Sequence, residues 1–181
     1  YLYSLPAASA ERAQKELRRA CVEFADSGYS DRERYGAAQL LRRAPTAETV
    51  RLGIAELAER DENFALYFWY CALLDCLDAL PEAERAPARA TLLDWGNDPA
   101  RAVPQIRLAA FWYRKRDEGV KDPATVVDDA LVAPVRASAL AVHGEHADSD
   151  FYAQRSAGLL LGIFSSEKNL PVLRRLLPHD S

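Results

Sequence analysis

Residues Asn63 to Leu80 read NFALYFWYCALLDCLDAL, a stretch without Gly or Pro. Its apolar residues recur at three- and four-residue steps, which is the period of a helix. They follow two sides of that helix: Phe64, Phe68, Cys71 and Leu74 on one, and Ala65, Trp69, Leu73, Cys76 and Leu80 on the other. The polar exceptions, Asp75 and Asp78, come near its end. A helix that is apolar around most of its circumference is buried on several sides, so we expect the chain to be built around this one.

Length and composition indicate one all-helical domain over residues 1–181. The sequence is rich in Ala, Leu, Arg and Glu, which favour helices, and poor in β-branched residues. The net charge of −4 argues against a dedicated nucleic-acid-binding protein, which is usually strongly basic. No apolar run approaches the ~20 residues that a membrane span needs. We therefore expect a cytoplasmic protein with no membrane segment and no cofactor.

The three cysteines, Cys21, Cys71 and Cys76, are an odd number. Cys71 and Cys76 lie five residues apart on one predicted helix, where their side chains point away from each other. We interpret them as small buried hydrophobic residues in a reducing compartment rather than as a disulfide framework. The chain begins at Tyr1 and contains no Met, which leaves room for a leader or an upstream domain.

Capping residues and prolines divide the chain into about ten short helices. Thr46 is placed to cap one helix, and the Asp98-Pro99 and Asp122-Pro123 pairs have the form of helix starts. The predicted helices are 10–26, capped by Ser9; 31–43; 47–60; 63–80; one that starts at Pro81 or Pro87 and ends at Gly96; 104–116; 123–132; 134–143; 151–164; and a last one from Ser166 to Pro178.

A short internal repeat is present, of the form Arg, any residue, small, small. It occurs as Arg34-Tyr-Gly-Ala, Arg107-Leu-Ala-Ala, Arg136-Ala-Ser-Ala and Arg155-Ser-Ala-Gly, with an apolar or aromatic residue six positions after each Arg. This pattern resembles the second helix of HEAT-like repeats. The resemblance implies a short right-handed α-solenoid of helical hairpins, joined through small-residue contacts, with a concave binding surface. The spacing of the arginines is irregular, so a compact irregular helical bundle stays open as the alternative.

From this resemblance we expect a non-catalytic scaffold or adaptor that recognises another protein or a peptide. The predicted contact surface comprises Trp112, Arg114, Arg116, Arg136 and Arg155. The arginines of the repeat could instead be structural and bond to neighbouring helices. The basic residues from 101 to 121 could likewise either steer a charged partner or form ion pairs between adjacent helices.

Other classes of site have weaker signals. Some HEAT-like proteins are alkylated-base DNA glycosylases, which gives a nucleic-acid-binding alternative, but Asp94-Trp95 is the only adjacent Asp-Trp pair and the chain is acidic. His143-Gly-Glu-His146, with Asp148 and Asp150, has metal-ligand residue types, yet Gly144 separates the histidines and we expect no metal. In the aromatic runs 67–70 and 111–113, most residues belong to the core, with Tyr70 and Trp112 as candidates to reach the surface.

Overall fold

A computed structural model describes residues 7–23, 31–58, 66–140, 147–164 and 166–176. Within these ranges the chain forms α-helices and three single 3-10 turns, with no strand, which confirms the all-α class. The helices are α1 (Ala7–Glu23), α2 (Asp31–Arg43), α3 (Ala47–Ala58), α4 (Leu66–Asp75), α5 (Glu82–Asn97), α6 (Pro104–Asp117), α7 (Asp129–Leu140), α8 (Ala147–Ile163) and α9 (Leu170–Leu176). The 3-10 turns are Leu77–Ala79, Pro123–Thr125 and Glu167–Asn169. No helix in the described ranges combines the length and the apolar character needed to cross a membrane.

Helix α4 is the centre of the core, as its sequence predicts. Every residue from Leu66 to Leu74 is buried, and the helix contacts α2, α3, α5 and α6. Only Asp75, in the last turn, is exposed. The predicted burial of Trp69 and Leu73 is therefore confirmed, while Phe64 and Ala65 lie outside the described residues.

The even-numbered helices form a closed cycle of contacts. Helix α2 packs on α4, α4 on α6, and α6 on α8, and α8 in turn contacts α2. The odd-numbered helices pack outside this cycle, with α1 on α3, α5 on α6 and α7 on α8. In an open solenoid each repeat touches only its neighbours, so the α2–α8 contact is a feature of the compact alternative.

Two glycines allow α4 to approach its neighbours closely. A Cβ on Gly53 of α3 would lie 2.7 Å from Leu73 Cδ2 and 2.8 Å from Trp69 Cζ2. A Cβ on Gly96 of α5 would lie 2.7 Å from Tyr70 Cζ. Helix α4 therefore packs closely against α3 at Gly53 and against α5 at Gly96. The small residues of the Arg repeat contribute differently: five of them are buried alanines (Ala37, Ala109, Ala110, Ala139 and Ala157), whereas a Cβ on Gly36 would meet nothing within 4 Å.

Several predicted boundaries are wrong, because prolines are accommodated inside helices. Pro87 lies within α5 and Pro134 within α7, each as the sixth residue of its helix. The Asp122-Pro123 signal produces a cap, with Asp122 Oδ1 accepting from Ala124 N at 3.0 Å, but the helix stops after one 3-10 turn. Ser9 lies inside α1 rather than capping it. The side chain of Ser166 forms no cap hydrogen bond.

Candidate protein-binding surface

The C-terminal half of α6 carries three consecutive aromatic residues, each with a cation over its ring. Arg116 Cζ lies 4.5 Å from the centroid of Trp112, and Lys115 Nζ lies 5.9 Å from the centroid of Phe111. Both pairs are four residues apart on the helix, so each cation sits one turn beyond its ring. Arg89 of α5 reaches Tyr113 in the same way, at 5.9 Å. We call Trp112, Arg114 and Arg116 the α6 surface.

Tyr113 anchors this half of α6 to the core. Its hydroxyl donates to Asp75 Oδ1 at 2.6 Å, and Arg42 Nε donates to Asp75 Oδ2 at 2.9 Å. Asp75 therefore joins α2, α4 and α6 at one point. Burial raises the pKa of the Tyr113 hydroxyl above its ordinary value, so it remains a hydrogen-bond donor at neutral pH. The aromatic run is thus held in a fixed position.

Most cations around the α6 surface are paired with acidic residues. Arg89 forms a bidentate salt bridge with Asp117, with donor–acceptor distances of 2.5 and 2.6 Å. Arg114 lies 3.2 Å from Asp94, and Lys115 lies 2.6 Å from Glu118. The Arg89–Asp117 and Arg114–Asp94 pairs join α5 to α6, in line with the interpretation that ions of the basic stretch pair between helices, whereas Lys115–Glu118 is a local pair at the end of α6. Arg116 forms no ion pair with any described residue and stacks on Trp112 instead.

Arg136 is part of a different cluster and is mostly buried. Its side chain is 15% exposed, and it donates to Asp129 Oδ1 at 2.6 Å and to Asn169 Oδ1 at 3.0 Å. Asn169 is itself buried and donates to the carbonyls of Leu161 and Phe164. Arg136 therefore links α7 to the connection between α8 and α9, which fits a structural role. A cavity of about 350 Å³ lies beside it, lined by Ala124, Val127, Asp129, Val132, Arg136, Phe164, Ser166, Glu167 and Lys168.

Arg155 lies on α8 and is exposed. Its guanidinium carbon is 5.1 Å from the ring centroid of Tyr35 on α2. It also lines a second cavity, between α8 and α9. The five residues predicted to bind a partner are therefore divided among several places. Trp112 and Arg116 lie on one side of α6, Arg114 projects from another side of α6 toward Asp94 of α5, and Arg136 and Arg155 each belong to a separate cluster.

Trp95 and Tyr70 lie in the core. Trp95 is 7% exposed and Tyr70 is 0% exposed, with their rings 5.9 Å apart. Asp94 points outward and pairs with Arg114. The adjacent Asp94-Trp95 pair therefore does not present an indole on which a base could stack, and the expectation that Tyr70 reaches the surface is wrong.

The described cysteines are buried and unsuited to nucleophilic chemistry. Cys71 and Cys76 are free thiols in the core, as the sequence predicts. Burial raises the pKa of Cys71 to about 12 and that of Cys76 to about 11. Within the described ranges, no group of three His, Cys, Asp or Glu side chains could hold a metal ion. His143 and His146 lie outside those ranges.

Sequence reasoning missed the partners that shape this surface. Arg89 of α5 stacks on Tyr113 and pairs with Asp117 at the end of α6. Asp94 of α5 pairs with Arg114. Their contribution depends on how α5 packs on α6, and no residue pattern along the chain encodes that pairing. A signal that could have found Arg116 is its four-residue spacing from Trp112.

Comparisons with protein-family models, curated proteins and solved structures give no match for this chain.

Proposed function

We propose that this chain is a non-catalytic helical scaffold that binds another protein or a peptide through the α6 surface. In this proposal the pairs α1–α2, α3–α4, α5–α6 and α7–α8 are HEAT-like hairpins, stacked in a short right-handed array. Helices α2, α4, α6 and α8 are then the second helices of the hairpins. In this proposal the array is compact rather than open, because the contact of α2 with α8 brings the first and fourth hairpins together. Partner binding falls on one of the second helices, α6.

The observation that supports the proposal is the Trp112–Arg116 pair. A half-buried indole is covered by a guanidinium at 4.5 Å, and that guanidinium forms no ion pair with any described residue. Trp and Arg are the residue types that most often dominate binding energy at protein interfaces. Stacking also orders the Arg side chain before a partner arrives, which lowers the entropy lost on binding.

The chemistry of the surface indicates an acidic partner segment with an apolar residue. A carboxylate can bond to the guanidinium of Arg116 while an apolar side chain packs beside Trp112. The exposed pair of Arg114 with Asp94, whose side chains are 44% and 80% exposed, can open at little cost because exposed ion pairs are weak. Arg114 projects from a different side of α6 from Trp112, so it would add positive charge near a partner rather than a contact beside the indole.

A peptide-display selection on the immobilised protein tests the proposal. Enriched peptides are synthesised, and their Kd values are measured by fluorescence anisotropy. We expect acidic, apolar sequences whose affinity falls at least about tenfold in Arg114→Glu with Arg116→Glu, and in Trp112→Ala. The matched control is Arg12→Glu with Lys15→Glu, two exposed cations on α1, which should bind like the unchanged protein.

Two results would contradict the proposal. One is enrichment of peptides whose affinity does not change in either α6 variant. The other is a large fall in melting temperature in Arg114→Glu with Arg116→Glu, which would show that these arginines serve the fold. A gel-shift experiment with duplex DNA at low salt tests the nucleic-acid alternative, since phosphate contacts give a steep salt dependence. The buried position of Trp95 gives no support to that alternative.

A further inference from the structure

Helices α8 and α9 expose an unusual amount of apolar surface. The exposed fractions are 51% for Leu159, 46% for Ile163 and 48% for Leu170. Leu159 and Ile163 are four residues apart and therefore lie on one face of α8. Terminal helices of stacked hairpins usually carry a polar outer face, because no further helix covers them. Scattered exposed apolar residues need no explanation, but Leu159 also lines a cavity.

A groove between α8 and α9 has Leu159 in its lining. It has a volume of about 390 Å³ and is lined by Gln154, Arg155, Gly158, Leu159 and Leu176. Gly158 contributes no side chain to the groove, and a Cβ there would be in ordinary contact with Leu176 Cδ1 at 3.5 Å. The groove thus has one leucine from each helix, Leu159 and Leu176, with Gln154 and Arg155 as its polar lining. Arg155 is held in position by its contact with the Tyr35 ring.

The parts of α8 and α9 that line this groove carry charges of one sign, while the acidic residues of α8, Asp148 and Asp150, lie in its first turn, before the groove. Residues 153–164 and 170–176 contain three cations, Arg155, Arg174 and Arg175, and no acidic residue. All three are exposed, and none forms an ion pair with a described residue. Glu167, in the connection between the helices, lines the other cavity instead. A partner that fills the groove therefore gains most if it carries carboxylates at its edges.

We propose that the α8–α9 groove binds an amphipathic helix of another protein, with leucine-like residues in the groove and Glu or Asp at its flanks. The apolar residues would pack on Leu159 and Leu176 in the groove and on Ile163, one turn after Leu159 on α8, while the flanking carboxylates would meet Arg155 and Arg174. Arg155 and Ile163 are eight residues apart, so the stripe is about 12 Å long. A partner helix of about two to three turns matches that length, with anchors at i, i+4 and i+7.

A second copy of this chain is a poorer occupant of the groove. In a two-fold contact each patch faces its own copy. The cations of one groove would then face the same cations of the other, and like charges in an interface are destabilising. The proposal goes beyond the α6 surface, because it concerns different residues on different helices.

Two synthetic peptides of about 18 residues test this proposal, a length at which a peptide in water can be helical. The first carries Leu at i, i+4, i+7 and i+11 with Glu at the flanking positions; the second has Lys in place of each Glu. Binding to the full chain is measured by isothermal titration calorimetry. We expect the Glu peptide to bind at least tenfold more tightly than the Lys peptide, and its affinity to fall at least tenfold in Leu159→Glu.

The control variants separate the possible outcomes. Val126→Glu changes an apolar residue that is 52% exposed and lies outside the groove, so the Glu peptide should bind it normally. An acidic, apolar peptide is also the kind of ligand expected at the α6 surface, so each titration is repeated in a Trp112→Ala background. The loss caused by Leu159→Glu should persist there, whereas absence of any binding of the Glu peptide in that background would assign the peptide to the α6 surface and overturn the proposal. Equal affinities for the two peptides, or no binding of the Glu peptide at millimolar concentration, would overturn it as well. So would a concentration-dependent dimer of the chain that Leu159→Glu abolishes, because the groove would then be a self-association site.

Discussion

Gly96 lies so close to Tyr70 that a methyl group on Gly96 would stand 2.7 Å from Tyr70 Cζ, and 3.0 Å from Ala110 Cβ. The contact brings α5 against α4 and α6 at one point. Tyr70 is fully buried and its ring lies 5.9 Å from that of Trp95, so it has little room to move. Gly96 is therefore required by packing rather than by backbone conformation.

Gly96→Ala should destabilise the protein by about 1–3 kcal/mol, because the added methyl overpacks a closed contact. The free energy of unfolding from urea titration measures the effect. Gly36→Ala is the matched control: a Cβ at that position of α2 meets nothing within 4 Å, so it should stabilise the helix by about 0.5–1 kcal/mol. Equal effects of the two substitutions would contradict the packing at Gly96.

Tyr70→Phe should leave stability unchanged or raise it by about 1 kcal/mol. The Tyr70 hydroxyl is buried and has no hydrogen-bond partner among the described residues, and a buried polar group without a partner costs about 1–3 kcal/mol. Removing the oxygen also takes away the Tyr70 atom nearest to Gly96. Gly96→Ala should therefore cost less in the Tyr70→Phe background, which a double-mutant cycle measures. Additive effects would show that the two residues do not contact each other.

Asp129 gives the cluster around Arg136 a dependence on pH. Hydrogen bonds from Arg136 and Lys168 hold the pKa of Asp129 below its ordinary value of 3.8. A carboxylate with a lowered pKa stabilises the fold above its unfolded-state pKa, and this contribution disappears as the pH falls through the folded-state value. Asp129→Asn should therefore lower the melting temperature at pH 7, and the difference from the unchanged protein should shrink below about pH 3.8. Arg136→Ala removes the same bond from the other side together with the bond from Arg136 to Asn169, so it should lower the melting temperature at pH 7 by more than Asp129→Asn does.

The buried thiols should be protected from alkylation in the native protein. With the pKa of Cys71 raised by burial to about 12, its thiolate fraction at pH 8 is about a thousandfold below that of an exposed cysteine. In a Cys21→Ser background, Cys71 and Cys76 should react with iodoacetamide slowly when folded and rapidly in guanidinium chloride. Mass spectrometry of the labelled peptides measures both rates. Rapid labelling of Cys71 under native conditions would contradict its burial.

The helices could be predicted where local signals and tertiary packing agree. Helix α2 has the expected bounds, and Thr46 caps α3 through Thr49 N at 3.2 Å. The all-round apolar stretch around Phe68 identified the core helix. The prolines gave wrong helix boundaries, because the helical turns before Pro87 and Pro134 are stabilised by other contacts. Arg51 bonds twice to Glu84, at 2.7 Å each, in the first turn of α5, and Asp128 Oδ1 accepts from Ala130 N at 2.9 Å at the start of α7.

The candidate surfaces were less predictable, because they depend on which helices meet. Trp112 and Arg116 could be read from their spacing on one helix. By contrast, Arg136 shares the repeat motif with Arg155 yet is held by Asp129 and Asn169, the latter on a connection 33 residues away. The groove beside Leu159 depends on how α9 folds back on α8. Residue spacing within one helix cannot report either arrangement.

The contact between α2 and α8 affects how the protein unfolds. In a row of hairpins with free ends, the last hairpin can peel away and leave the others intact. In this protein, loss of α8 would also expose the side of α2 that it contacts, near the opposite end of the chain. The contact of Arg155 with Tyr35 would be lost as well. Truncation that removes α8 should accordingly destabilise α2, and thermal unfolding should proceed in one concerted step.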